Sequence, residues 1–269
     1  MIMEEKKTTF ALVTGASQGF GRCIAMELAK KGFNLILVAL PNENIQQVAS
    51  QAKALAVEAI YYETDLTNKE NVLALTEWVN QNFDVSILIN NAGKGGTRSF
   101  LSCNADYIDS IIQLNITAPA LITHQLLPNL KKQENAYILN VSSMASFSPI
   151  GYKTVYPASK RFVQHFSRGL YQELKETNVF VSVVHPGPMK TNKDVSQRIE
   201  RQGSLGRIGL LSPEKAAKIC INRLFKKDSL ILLGWANHLN WLLMSIIPIW
   251  IKLPLLTTAV RRELKPSVQ

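Results

Sequence analysis

Tyr156 and Lys160 stand four residues apart, a spacing that puts two side chains on one face of a helix and within reach of one ligand. A phenol that ionises near pH 10 is a poor acid or base at neutrality, and an adjacent ammonium stabilises its phenolate and lowers that value. Such a pair can donate a proton to a carbonyl oxygen or accept one from an alcohol. A second chemistry-bearing run is Thr14-Gly15-Ala16-Ser17-Gln18-Gly19-Phe20-Gly21, between an apolar run and a helical stretch. Glycines at this spacing permit a tight turn, close approach of backbone to a pyrophosphate, and close helix–strand packing. The anion then sits on unpaired N–H groups at the helix N-terminus.

These residues need elements to hold them. Short β-rich runs occur at Thr9–Val13, Asn34–Ala39, Ala59–Glu63, Ser86–Asn90, Ala136–Val141 and Val179–His185, with Leu230–Gly234 as a last strand. Helical stretches lie at Gly19–Lys31, Glu43–Ala56, Asn68–Phe83, Asp106–Leu130, Tyr156–Thr177 and Glu214–Lys227. The runs are continuously apolar (Leu35-Ile36-Leu37-Val38, Ile87-Leu88-Ile89) rather than alternating, as strands covered on both faces require. Alternation of such strands with helices predicts an α/β fold, a doubly wound parallel sheet of about seven strands. With no repeat, low-complexity segment or linker, residues 1–269 are expected to form a single domain.

With 46% hydrophobic and 19% charged residues, the chain is neither disordered nor fibrous. Cys23, Cys103 and Cys220 show no CxxC or metal-ligand spacing, so a reducing, cytoplasmic setting and no metal are expected. Met1–Thr9 has no apolar run of the secretory kind. The net charge of +10 is uneven: residues 1–188 hold 16 basic and 15 acidic residues, and residues 189–269 hold 14 and 5. This asymmetry points to an anionic surface as a partner or to a solvated face. No helix-turn-helix, zinc finger or aromatic RNA platform accompanies the cations, so no nucleic-acid partner is expected.

The glycine turn is followed in order by Asn90-Asn91-Ala92-Gly93, Asn115, Ser142-Ser143, Tyr156-Pro157-Ala158-Ser159-Lys160 and Pro186-Gly187. Together these resemble the short-chain dehydrogenase/reductase family over roughly residues 8 to 192. The resemblance implies a Rossmann-like fold and an NAD(P)(H)-dependent oxidoreductase with Asn115, Ser143, Tyr156 and Lys160 as its catalytic set. Ser143 would hold the substrate oxygen, with Ser142 a competing assignment that the spacing disfavours. Lys160 would also bind the nicotinamide ribose, and Asn115 would hold a water that relays protons to the lysine. Gly15, Ser17, Gln18, Gly19, Phe20 and Gly21 would cradle the dinucleotide. Asp65 and Leu66 would contact the adenine, though Asp65 also reads as a helix-capping acid. Asn91, Ala92 and Gly93 would lie along the ribose. Pro186, Gly187, Met189 and Thr191 would fix the carboxamide. An acid closing the second strand would bind the ribose hydroxyls of NAD. Here the strand ends Val38-Ala39-Leu40-Pro41-Asn42, and Glu43 comes only in the next helix, so NADP(H) is favoured over NAD(H).

The substrate is not legible. Lys94–Arg98, Ser146–Tyr152 and a polar lid at 189–211 would wall its pocket. Residues 235–269 form an apolar and basic extension. Ser229–Ile251 carries no formal charge over 23 residues, and Leu239, Leu242, Leu243, Ile246, Ile247 and Trp250 recur at helical spacing. Three readings stand: a helix buried on its own domain or at a homodimer contact, an interfacial membrane helix within 235–265 flanked by Lys226, Lys227, Lys252, Arg261, Arg262 and Lys265, or a membrane span. A lipophilic carbonyl or alcohol substrate follows from any of these, and peripheral association with the inner membrane face from the second. The resemblance also implies a homo-oligomer. The rival in another class is a non-catalytic, dinucleotide-sensing regulator of the same fold.

Overall fold

The continuously apolar runs become strands because helices cover them on both faces. A computed structural model describes residues 9–189, 196–197 and 209–264. Its seven strands are β1 (Phe10–Thr14), β2 (Asn34–Ala39), β3 (Ala59–Glu63), β4 (Val85–Asn90), β5 (Ala136–Val141), β6 (Val179–His185) and β7 (Leu230–Leu232). They form one parallel sheet in the order β3-β2-β1-β4-β5-β6-β7. The chain therefore starts mid-sheet, winds out to β3, crosses back past β1 and winds out to β7. In such a sheet the crevice beyond the strand C-termini, where the order reverses between β1 and β4, is where ligands are received.

Alternate residues of each strand feed two cores. Leu35, Leu37, Ile87 and Ile89 pack on one face against α1 (Gly19–Lys30), α2 (Ile45–Lys53) and α7 (Pro213–Phe225). Leu12, Ile36, Leu88 and Ile138 pack on the other against α3 (Lys69–Asn82) and α5 (Ala118–Lys131). α6 (Val155–Leu174) joins that second face through Leu174. Each fully buried leucine or isoleucine contributes roughly 2 kcal/mol by leaving water, so the pattern of apolar runs largely decides the fold.

The element ends show where local chemistry overrides periodicity. Asn68 accepts the Asn71 N–H at 3.2 Å and caps α3, and Ser212 accepts that of Lys215 at 3.3 Å ahead of Pro213. The second helix starts at Ile45 rather than Glu43 because Asn42 and Asn44 adopt left-handed backbone, with φ of 66° and 54°. The helix expected over Asp106–Leu130 is interrupted: α4 (Ala105–Ile112) leads into a π-helical turn at Gln113–Thr117 before α5. Pro119 has no N–H to offer the carbonyl of Asn115, four residues back, so a regular α ladder fails there.

Beyond β7 lie α8 (Trp235–Ile246) and α9 (Ile249–Arg261), broken at Pro248. Among the described residues no helix is long and apolar enough to cross a membrane, so the spanning reading of Ser229–Ile251 fails: a strand, a turn and two helices divide it. The reading of this segment as a helix buried on its own domain fails for one face, because Trp235, Leu239, Leu242, Leu243 and Ile246 form an exposed stripe along α8. Lys226 and Lys227 do not flank it. They precede a strand parallel to β6 and so lie at the opposite edge of the sheet from α8, which follows that strand. Thr191, Lys265 and most of the 189–211 segment fall outside the described residues.

Candidate active site

The turn after β1 is built for close backbone approach. Gly15 and Gly19 take left-handed conformations, with φ of 63° and 55°. A Cβ on Gly21 would lie 2.1 Å from the Gly15 carbonyl oxygen, and one on Gly15 would lie 2.9 Å from the Ala92 Cα. Only glycine lets β1, α1 and the end of β4 meet here. Asn91 completes the junction: its amide donates to the carbonyls of Thr14 and Gly15, both at 3.0 Å. Thr14 Oγ1 in turn accepts the N–H groups of Asn91 and Ala92 at 3.0 Å. Asn91 thus shapes the floor of the crevice through its side chain, a task its spacing alone does not reveal. Phe20 is buried beneath the turn, while Ser17 and Gln18 rim it.

Two acids stand near this crevice. Ser17 donates its hydroxyl to Glu43, which the left-handed Asn42 and Asn44 help to carry beside the glycine turn. Asp65 accepts the N–H and hydroxyl of Thr67 at 2.9 and 2.8 Å, shaping the turn into α3, while Leu66 is buried.

At the ends of β4 and β5 the polar residues converge. Lys160 is buried, and its ammonium donates to the Val141 carbonyl at 2.9 Å. Ser142 donates to the Lys160 carbonyl at 2.7 Å, tying α6 to β5. That engages the Ser142 hydroxyl with main chain. Ser143 Oγ accepts the Ala145 N–H at 3.1 Å and so caps the short helical turn at Met144–Phe147, leaving its own O–H to donate. The loop beyond β4 brings the rest together. A Cβ on Gly93 would sit 3.0 Å from Lys160 Nζ and 3.3 Å from Asn115 Oδ1, and one on Gly95 would sit 2.8 Å from the Tyr156 ring. Asn115 Oδ1 accepts the Lys94 N–H at 2.8 Å, and its amide donates to the Lys94 carbonyl and to Ser159 Oγ, both at 2.9 Å. Its side chain therefore locks this loop onto α6.

His185 and Asn237, which spacing did not single out, also shape the site. His185, with no exposed surface, has Nδ1 3.1 Å from Ser146 Oγ and 3.2 Å from the Ser143 carbonyl oxygen, and burial holds its pKa down at about 4. Its neutral ring braces the Ser143 turn from behind. The Pro186 carbonyl accepts the Met144 N–H at 2.9 Å, and Gly187 abuts Asn237 of α8, whose Oδ1 would lie 2.6 Å from any Cβ there. Met189 packs on the first core. Beside Tyr156 a small cleft is lined by Gly96, Arg98, Phe100, Tyr107, Tyr152 and Tyr156, with the Arg98 guanidinium 4.6 Å from the Tyr107 ring centre. Burial pushes the Cys23 thiol up to about 11 and the Cys220 thiol higher still, so neither is a nucleophile at neutral pH.

With this geometry in hand, comparison with known proteins is specific. The family model for short chain dehydrogenase matches residues 9–202. An uncharacterised oxidoreductase of Staphylococcus aureus (strain USA300) is 33% identical over 182 residues, 67% of this chain and 78% of its own. Among solved structures, the bulky-bulky ketone specific alcohol dehydrogenase from Comamonas testosteroni is 27% identical with a TM-score of 0.74, over 89% of this chain and 95% of that one. A short-chain dehydrogenase from Sphingobium yanoikuyae in complex with NADPH is 25% identical with a TM-score of 0.76, over 89% and 96%.

The buried cation makes a testable demand on stability. Burial lowers the Lys160 pKa from 10.5 to about 8. Below pH 8 the lysine is charged in folded and unfolded chains alike, and the folded state bears the desolvation cost. Between pH 8 and 10.5 the unfolded chain holds more of the proton, so this contribution to stability rises with pH. Lys160→Met is therefore expected to stabilise the fold at pH 7 by about 1–3 kcal/mol, after allowing for the lost Val141 hydrogen bond. The gain shrinks toward pH 10. Thermal unfolding of both chains across this range checks it, and a loss of stability that is the same at every pH would contradict it.

Proposed function

The chain belongs to the short-chain dehydrogenase family, and on that premise we propose that it is a cytoplasmic NADP(H)-dependent oxidoreductase acting on a lipophilic ketone or the corresponding alcohol. The observation that carries this reading is the buried Lys160 ammonium, held by a main-chain carbonyl rather than a carboxylate, one helical turn beyond Tyr156. An unneutralised cation in that position favours the phenolate of a neighbouring tyrosine. A protein that only senses a dinucleotide has no use for this pair, which argues against the regulatory alternative.

The residues fit a nicotinamide dinucleotide. The left-handed Gly15 and Gly19 open α1 at the crevice, where Gly15 and Gly21 pack on Asn91 and Ala92 too closely to admit a Cβ, so backbone rather than side chain would meet a pyrophosphate. When bound, the dinucleotide supplies or accepts the hydride. Tyr156 gives its proton to the carbonyl oxygen in reduction and recovers it in oxidation, while the Ser143 O–H holds that oxygen in place. Lys160 supplies positive charge to Tyr156 and to the nicotinamide ribose. The Asn115 carbonyl, where Pro119 interrupts the helix, accepts a water that returns protons from solvent to Lys160.

NADP(H) is favoured because Ala39, Leu40 and Pro41 set no acid at the end of β2 against a 2′-phosphate. The NADPH held by the Sphingobium relative agrees with this preference. Glu43, held by Ser17, opposes it and weakens the binding.

A lipophilic substrate is supported by the aromatic cleft and by the surface beside it. Trp235 is 80% exposed, Ile246 68% and Trp250 72%. On α9, Trp250, Ile251 and Leu255 share the outward face with Arg261, and exposed Arg262 follows the helix. No Asp or Glu occurs between Asp228 and Glu263. Apolar side chains with tryptophans among them, cations at the end of the same face and no acids are what an anionic lipid surface receives. That surface is the occupant proposed for α8 and α9.

Three measurements test these statements. With NADPH, absorbance at 340 nm should fall faster for 2-octanone than for 2-butanone, and Tyr156→Phe should lose about 10²-fold or more of this rate. Turnover by the variant at the normal rate would refute the acid–base assignment. Glu43→Gln should tighten NADPH about fivefold, the effect of removing one partly screened charge, and leave NADH nearly unchanged. Weaker NADPH binding, or a wild type that binds NADH the more tightly, would reverse the cofactor assignment. The protein should sediment with phosphatidylglycerol vesicles more than with phosphatidylcholine vesicles, and the double variant Trp250→Glu, Leu255→Glu should stay in the supernatant. A wild type that never sediments removes the lipid surface, and a dimer that the double variant dissociates shows instead that a second copy covers this face.

A further inference from the structure

The last described turn of the chain reaches back to the active site. Glu263, one residue beyond Arg262, is buried, with its side chain only 1% exposed. One carboxylate oxygen pairs with Lys153 Nζ at 2.8 Å, and the other accepts the Thr97 hydroxyl. Lys153 lies in the turn that opens α6, and its carbonyl accepts the Tyr156 N–H at 3.1 Å. Thr97 lies in the loop beyond β4, two residues from Gly95, against which the Tyr156 ring packs. The two loops are also bonded directly, the main-chain N–H of Arg98 donating to the Tyr152 carbonyl at 2.8 Å.

Tyr152 gives an independent sign that this junction is held by force. Its φ of 62° places a bulky aromatic in the left-handed region, a conformation that persists only where surrounding contacts over-determine it and that clusters at functional sites. The contacts here come from the C-terminal helices. Thr257 of α9 accepts the Gly151 N–H at 3.1 Å, and a Cβ on Gly151 would lie 2.6 Å from Thr257 Cγ2. Glu263 grips Lys153 on the other side of Tyr152.

We infer that Glu263 is a positioning residue: its buried carboxylate clasps the two loops that wall the substrate cleft, so that the C-terminal helices are part of the active site. This deepens the proposed ketone-reductase reading and rests on it for its effect on turnover. The clasp sets the distance between the 94–99 loop and the 149–154 turn, and with it the width of the cleft and the placement of the Tyr156 ring. A Gly187–Asn237 contact ties the same C-terminal segment to the loop on the nicotinamide side.

The test compares wild type, Glu263→Gln, Glu263→Asp and Thr97→Val, the last removing one hydrogen bond without touching the ion pair. Amide hydrogen exchange should rise about tenfold in residues 94–99 and 149–154 of Glu263→Gln, with the β-sheet unaffected. KM for 2-octanone should rise about tenfold with a smaller change in kcat, as expected for a cleft that has lost its shape. NADPH affinity, read by fluorescence without substrate, should stay within about twofold, since the glycine turn is untouched. Glu263→Asp should recover part of the KM, and Thr97→Val should lie between wild type and Glu263→Gln. Unchanged exchange in both loops overturns the inference. So does a uniform loss of thermal stability, NADPH affinity and turnover, which is the signature of a structural contact only. Should the wild type reduce no ketone, the function reading fails, and the clasp stands or falls on loop exchange alone.

Discussion

Much of this molecule is arranged around one uncomfortable group, the ammonium of Lys160. Taking it from water costs enough to bring its ionisation down to about 8, and among the described residues the fold compensates with one main-chain carbonyl, that of Val141. A carboxylate partner would have been the ordinary way to settle a buried cation, but none pairs with it among the described residues. Restraint therefore comes from neutral groups. Ser142 fixes the lysine's backbone, Asn115 and Ser159 fix the adjacent turn of α6, and Gly93 leaves room for the amine. The chain accepts lower stability at this point for a cation kept out of water.

The parallel sheet makes that arrangement affordable to build. Strands that all point one way gather their C-terminal ends on one edge, and the reversal of order between β1 and β4 opens a crevice there. Residues far apart in the chain, the glycine turn after β1, Asn91 after β4, Ser143 after β5 and Gly187 after β6, all reach this edge by the same rule. Several of their polar side chains brace the backbone: Asn91, Asn115, Ser142 and His185 all bond to main-chain carbonyls or tie neighbouring segments together.

The C-terminal helices add a layer that the sheet does not need. Their inner side supplies Asn237, Thr257 and Glu263 to loops on either side of the crevice. Their outer side leaves a stripe of tryptophan, leucine and isoleucine in solvent. The same element thus contacts the crevice loops with one face and leaves a contiguous apolar surface on the other.

The strands, the glycine turn and the pairing of Tyr156 with Lys160 are legible in the residues themselves, because unbroken apolar runs and a four-residue spacing act locally. The break at Gln113–Thr117 was also written in the chain, through Pro119, although the helical pattern of Asp106–Leu130 masked it. The tertiary structure decided what depends on distance along the chain. It brought Glu43 to Ser17, gave Ser142 to Lys160 and Ser143 to the Ala145 N–H, and joined Glu263 to Lys153 across 110 residues. It also chose which side of α8 meets solvent, where the sequence, apolar on both sides, offered no contrast to read. Periodicity reports that a residue lies on a face. Only the packed chain determines what that face is turned toward, since the partners that bury or pair it come from segments whose spacing carries no trace of the encounter.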